Sequence, residues 1–423
     1  VSSPTHLPEI EATFVPKRRA LTLLLLTFAY FFSYMDRQIL AILQEDIIKD
    51  LHLSDTQMAI LSGMAFAIFY AGLGIPVAWL ADRSNRVRII AGALAIWSGF
   101  TALGGLAGNF WQLLGARIGV GIGEAGSSPP SHSIIADLYP PDKRASALSI
   151  YSLGVGLGAA FGTIIGGVVA TYYGWRVAMY VIGLPGLSDA QIAMDTARPS
   201  LIDGFTTLFA NRAALHLVAG FTLTSMIGYG LTAFGPSFMQ RSFGFTKLDI
   251  ALKVAPAGAV IVAVAAIASG RIADRLTRRY GQYSQSFMVV VFKTIGLPLA
   301  LCVYTATNPT FGVGAYFLSI LFSTAYLGVT FALIQSEAPI RLRATWAAIT
   351  LLVNNMIGLG LGPFLVGMLS DALKPTYGAE SLRYSMFVFA AITPWAIFHY
   401  WRAGVLLKRK AIERKAAQDA IAV

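Results

Sequence analysis

Arg117 and Glu124 stand seven residues apart in the apolar run Arg117-Ile-Gly-Val-Gly121-Ile-Gly123-Glu124-Ala-Gly126. On a helix that separation is about 700°, so the two charges share one face roughly 10 Å apart along the axis. Charges inside an apolar span are costly and are kept where they face a cavity or a partner. A second such place is Tyr34-Met-Asp36-Arg37. Counted inward from Glu45 and Phe110, Asp36 lies about 14 Å, Arg117 about 10 Å and Glu124 about 21 Å from the same end. The proton affinity of a carboxylate depends on whether a guanidinium stands beside it. A movement of Arg117 relative to Asp36 or Glu124 would therefore load or release a proton. The alternative is a buried structural ion pair. Arg37 is turned about 100° from Asp36 and could aim its forked donors at a phosphate or carboxylate, or form a salt bridge to Asp36 or to the helix backbone.

The rest of the chain is what must hold these groups. Of 423 residues, 56% are hydrophobic and only 13% charged, with a mean hydropathy of +0.65, against about 25% charged in soluble domains. An integral membrane protein follows. The net charge of +11 would suit nucleic acid in a soluble protein, but no basic patch is interleaved with stacking aromatics, so no nucleic-acid partner is expected. One cysteine, Cys302, and five scattered histidines exclude a disulfide framework and make a metal site unexpected. No nucleophile and base set or phosphate loop appears, so neither an enzyme nor a cofactor is expected.

Apolar runs of the length a spanning helix needs recur at 20–44, 56–81, 87–108, 110–139, 143–171 and from 175, then at 213–241, 247–273, 284–306, 310–335, 344–370 and 383–406. The expected architecture is all-α, with twelve transmembrane helices in two six-helix bundles at 20–187 and 213–406. A tail at 1–19, a linker at 188–212 and a tail at 407–423 complete the chain. The sixth run stops near Leu187 and gives way to Ser188-Asp189-Ala-Gln191, too short for a span. The linker is therefore expected to be incomplete in this sequence.

Lys and Arg gather at the turns on the side of the N-terminus, as at Lys17 to Arg19, Arg83 to Arg88, Arg271 to Arg279 and Lys408 to Lys415. Both termini are therefore expected to be cytoplasmic. The last group could also hold anionic headgroups of membrane lipids. The halves repeat one another: Ala78-Trp-Leu-Ala-Asp82-Arg83-Ser-Asn-Arg86 returns as Gly270-Arg-Ile-Ala-Asp274-Arg275-Leu-Thr-Arg278-Arg279, and Lys143-Arg144-Ala as Leu342-Arg343-Ala.

The tract around Asp82 resembles the loop signature of the major facilitator superfamily, G-x-x-x-D-R-x-G-R-K, departing from it at Ala78 and Asn85. The resemblance implies a latch between the bundles formed by Asp82, Arg83, Arg86, Asp274, Arg275, Arg144 and Arg343; a plain topology-setting loop is the alternative. A closer resemblance, to the spinster family, rests on Tyr34-Met-Asp36-Arg37-Gln-Ile-Leu40, Asp50-Leu-His-Leu-Ser54-Asp55-Thr-Gln57, the Arg117 to Gly126 run and Pro140-Pro-Asp-Lys143-Arg144. That family includes exporters of sphingosine-1-phosphate and transporters of lysophospholipids.

The resemblance implies that Asp36, Arg117 and Glu124 face one midplane cavity and couple transport to protons, with Arg37 receiving a headgroup. Arg117, Tyr34, Ser225, Tyr229, Asn354 and Asn355 are the further candidates to touch an amphipathic lipid or organic anion; ordinary helix packing is the alternative for the uncharged ones. The implied protein is a monomeric, multi-pass inner-membrane transporter exchanging access between bundles. A drug or small organic anion exporter and an uncoupled lipid uniporter or scramblase are its rivals. The glycines at 154, 158 and 162, and those at 358 to 367, suit close helix packing or an antiporter signature. Lys293 is expected to snorkel to an interface, and Glu337 to join Arg341 and Arg343.

Overall fold

The computed structural model describes residues 19–81, 86–127, 130–131, 134–135, 138–139, 141–183, 202–324, 326–339 and 342–421, and every regular element among them is helical. The first half holds α1 (Arg19–Leu51), α2 (55–81), α3 (Arg86–Gly104), α4 (Phe110–Glu124), α5 (Pro141–Tyr173) and α6 (Trp175–Gly183). The second holds α7 (Ile202–Ala210), α8 (Arg212–Phe243), α9 (247–280), α10 (Ser284–Thr305), α11 (Pro309–Ser323), α12 (Leu327–Glu337), α13 (343–377), α14 (Ser381–Ala390) and α15 (Thr393–Ile421).

Among the described residues, seven helical stretches are long and apolar enough to cross a membrane. The others expected to span are shorter, are interrupted, or adjoin undescribed residues. The supposed gap near Leu187 lies outside the described residues. Two segments outside the expected bundles are helical. The linker contains a helix, α7, whose Thr207 hydroxyl accepts a hydrogen bond from Trp346 Nε1 at 3.0 Å. The tail beginning at 407 continues as helix to Ile421, because its Ala, Lys, Arg and Glu residues are good helix formers without a glycine or proline to stop it.

The repeat extends to local geometry. Ser54-Asp-Thr-Gln57 and Thr246-Lys-Leu-Asp249 are both capping boxes, in which the first side chain accepts from the backbone of the last and the last reaches back. Each satisfies two donors that a helix start leaves unpaired. Each is followed by a widened π turn, at 60–64 in α2 and 250–254 in α9. α4 ends at Glu124, and in the second half α11 ends at Ser323 and α12 begins at Leu327.

Glycine sets how closely α1 and α5 meet. A Cβ at Gly154, Gly158 or Gly162 would stand 2.8, 2.3 and 2.5 Å from the carbonyl oxygens of Thr27, Phe31 and Met35. Side chains there would force the helices apart, so the stripe is occupied in packing.

The ends of α1 and α8 opposite Arg19 and Arg212 come together, while the start of α8 meets the end of α15, where Lys410 Nζ donates to Asn211 Oδ1 at 3.2 Å. Both ends of the described chain thus lie at one end of the molecule, termed proximal. At the distal end a single apolar core runs through both halves, from Met35, Ile39 and Met58 to Met226, Phe234 and Val366. At the proximal end each half keeps its own core, around Leu23, Ile135 and Tyr151 in one and Leu217, Trp346 and Tyr400 in the other. Among the described residues, the halves share one core distally and keep separate cores proximally.

Candidate functional site

Asp36 and Arg37 project from the middle of α1, and Arg117 and Glu124 from α4. Three of the four are almost wholly enclosed, with exposures of 2% for Asp36, 1% for Arg117 and 1% for Glu124. The charges pair crosswise between helices. Arg37 Nε donates to Glu124 Oε2 at 2.7 Å, and Arg117 Nη1 stands 3.8 Å from Asp36 Oδ2. Arg37 therefore pairs with neither Asp36 nor the backbone. Arg117 and Glu124, on one face of α4, each take their partner from α1.

Neighbouring elements hold these pairs in place. Ser33, one turn before Arg37, donates its hydroxyl to the same Glu124 Oε2 at 2.8 Å. The widened turn of α2 presents the Leu61 carbonyl, which accepts from Arg117 Nε at 3.3 Å; π turns often occur where a helix serves a site. The guanidinium of Arg37 lies 4.6, 4.9 and 5.1 Å from the ring centres of Phe66, Tyr34 and Tyr70. Aromatic faces attract a desolvated cation, so the position of Arg37 is defined on several sides.

The cluster is not fully satisfied. Among the described residues neither oxygen of Asp36 accepts a hydrogen bond, and Glu124 Oε1 and Arg117 Nη1 also lack one. An unmet buried polar atom is costly.

The second half faces this cluster with neutral polar groups. Tyr229 interacts with Tyr34 and Arg37 of the first half and with Tyr326 of the second. Ser225 Oγ is 3.2 Å from the Tyr326 hydroxyl. Asn354 is buried in a π turn of α13 with its Oδ1 unsatisfied, and Asn355 beside it is half-buried. Lys293 corrects its expectation: it is only 6% exposed, and its ammonium sits 4.7 Å from the centre of the Tyr326 ring. The break between α11 and α12 places Tyr326 where the lysine turns inward.

The expected latch is described only in part. Asp82 and Arg83 lie outside the described residues; Arg86, Arg144 and Arg343 stand on described helices, but their side chains do not belong to the described set. Asp274 and Arg275 are exposed on α9, which continues as helix to Tyr280 where a charged loop was expected. Glu337 accepts from Lys410 Nζ at 2.6 Å and from Asn211 Nδ2 at 3.1 Å. It thereby ties α12 to α15 and to the start of α8, whereas Arg341 is undescribed.

A distal cluster escaped sequence reading altogether. Arg241, near the end of α8, donates to both oxygens of Asp55 at 2.8 and 2.7 Å and to Glu45 Oε1 at 2.9 Å. Asp371 of α13 accepts from the Thr56 amide at 2.7 Å at the start of α2, where a helix N-terminus favours a carboxylate. Ser370 donates to Asp55 at 2.7 Å, and Lys247 pairs with Asp46. Among the described residues, the ion pairs joining the halves all lie here.

Residues 26–363 match the model of the Major Facilitator Superfamily. The chain is 33% identical over 394 residues to an MFS-type efflux pump of Mycolicibacterium smegmatis, covering 90% of this chain and 91% of that protein. It is 25% identical to the sphingosine-1-phosphate transporter SPNS2 of Danio rerio, over 85% of this chain and 77% of the other. Its fold superposes on the crystal structure of a bacterial homolog to the human lysosomal transporter spinster, in an inward-facing conformation. That match has a TM-score of 0.80 and 28% identity, covering 92% of this chain and 97% of that one.

Proposed function

Given that the chain belongs to the Major Facilitator Superfamily and is a membrane transporter with spinster relatives rather than an enzyme, we propose that it is a proton-coupled secondary transporter. It works by alternating access and moves an anionic amphiphile, such as a lysophospholipid or sphingolipid-like molecule, across the inner membrane. The observation that carries this reading is the crosswise pairing of Arg37 with Glu124 and Arg117 with Asp36. Arg37 cannot hold Glu124 and a substrate acid with the same donors. A proton on Glu124 removes the charge that holds Arg37, and the freed guanidinium takes the headgroup. Loss of the proton returns Arg37 to Glu124 and releases the substrate. Asp36 and Arg117 respond to the same rearrangement, since they share α1 and α4 with the first pair.

The distal join is the closed gate of an inward-open state, with both termini cytoplasmic. Asp274, Arg275 and their undescribed counterparts in the first half meet when the proximal side closes. Tyr34, Tyr229, Ser225, Asn354 and Asn355 offer polar contacts while aromatic walls take the tail.

The test uses purified protein in liposomes with a pH-sensitive dye sealed inside and lysophospholipids of several headgroups and chain lengths added outside. Saturable proton movement is expected in the wild type and its loss in Glu124→Gln. Full transport with unchanged pH dependence in that variant would remove Glu124 from coupling. Lipid uptake without proton movement would make the protein a uniporter. The similarity to an efflux pump at 33% identity favours a second reading, export of drugs or small organic anions, which requires transport indifferent to tail length.

A further inference from the structure

The two buried arginines of the first half are engaged: Arg37 with Glu124 and Arg117 with Asp36. The buried lysine of the second half is not. Among the described residues no carboxylate pairs with Lys293, and the acids of the second half stand near helix ends, as do Asp249, Asp274, Glu337, Asp371 and Glu380. An ammonium at that depth is expensive and is retained for a partner. Tyr326 meets part of the cost with its ring. The ring does not neutralise it fully.

The surroundings of Lys293 point toward the substrate path. The Tyr326 hydroxyl reaches Ser225 on α8, and Tyr229 interacts with Tyr326 as well as with Tyr34 and Arg37. A tyrosine thus stands beside each cation, Tyr34 by Arg37 in the first half and Tyr326 by Lys293 in the second. Asn354 stands beyond Ser225, with its buried Oδ1 unsatisfied, and both border Gly358.

We propose that Lys293 is a specificity-determining residue of the second half, receiving the phosphate or carboxylate of the substrate while Arg37 is held by Glu124. The inference rests on the reading that an anion is carried, but not on proton coupling. An acid released by Arg37 passes to Lys293, so the transporter binds its cargo in the state where the first half has closed on itself. Selectivity for acidic over uncharged amphiphiles is then set mainly at position 293.

The experiment measures binding to the purified full chain in detergent, comparing wild type with Lys293→Gln and Lys293→Arg. The probes are oleoyl lysophosphatidylglycerol, monooleoylglycerol of the same tail without the phosphate, and gluconate as a small anion without a tail. Lys293→Gln is expected to weaken lysophosphatidylglycerol about tenfold or more while changing monooleoylglycerol less than about twofold, and Lys293→Arg to restore most of the loss. Gluconate binding that needs Lys293, with no binding of either lipid, would uphold the lysine and discard the amphiphile. Equal lysophosphatidylglycerol binding by wild type and Lys293→Gln would overturn the proposal and leave the amphiphile reading standing. A parallel loss of charged and uncharged lipid would also overturn it, since that is the mark of a structural lysine. Failure of all three probes to bind wild type would overturn both.

Discussion

At the scale of the residue, burial decides what an ion pair contributes. Arg241 is enclosed with Asp55 and Glu45 and makes fork-like contacts to them, so removing it strands two acids in a poorly hydrated place. The distal end also carries Arg176 with Asp50, paired at 2.6 Å, but the two side chains are 40% and 43% exposed. Arg241→Ala is expected to cost about 3–5 kcal/mol and Arg176→Ala about 1 kcal/mol or less, read from thermal unfolding in detergent. The hydrogen bond from Arg176 holds the Asp50 carboxyl below its usual range. Its small contribution is present above the unfolded carboxylate pKa and is lost as pH falls through the lower folded value. It does not change between neutral and mildly acidic pH.

The residue types of the acid and arginine cluster were legible in the sequence because charges inside apolar runs announce themselves. Their partners were not. Depth along a helix follows from counting, but rotation and tilt decide that Glu124 meets Arg37 and not its own helix neighbour Arg117. Arg241 and Asp55 lie 186 positions apart, in different halves, and each sits where an isolated charge at a helix end looks ordinary.

At the scale of the element, apolar run length announced an all-helical membrane fold, and the repeat was visible as a charged motif. Its deeper form went unread. Two capping boxes with following π turns occupy matching places in the halves. Backbone widening leaves almost no trace in composition, whereas Ser54 and Gln57, or Thr246 and Asp249, were in plain view. The glycine stripe of α5 was legible as close packing or an antiporter signature, but only coordinates could show which backbone atoms it approaches. Gly158→Val would drive a branched side chain into the Phe31 carbonyl, which stands 2.3 Å from the position of its Cβ. It is expected to destabilise by more than about 3 kcal/mol and to abolish folded expression, while valine at Gly156, where a Cβ meets nothing within 4 Å, is tolerated. Size-exclusion profiles of the two variants provide the comparison.

At the scale of the whole molecule, the joined distal core and separate proximal cores are what the proposed alternating access requires of one of its states. That proposal can be tested by a cross-link. A Cβ at Gly360 of α13 would lie 3.3 Å from that of Ala67 in α2, near the spacing a disulfide requires. With Cys302 replaced by serine, the pair Ala67→Cys and Gly360→Cys is expected to cross-link under oxidation, stop transport, and recover on reduction. Transport that continued at full rate through the cross-linked form would show that the halves need not part at this place.

Among the described residues, the buried charge pairs of α1 and α4 belong to the first half, while the second meets them with tyrosines, amides and the ammonium of Lys293. The two sets of groups can therefore be inherited separately. Substitutions along α8, α10 and α13 can alter the buried surface of the second half without disturbing the carboxylates of α1 and α4. Descendants of one such ancestor could diverge widely in the one half while keeping the charges of the other.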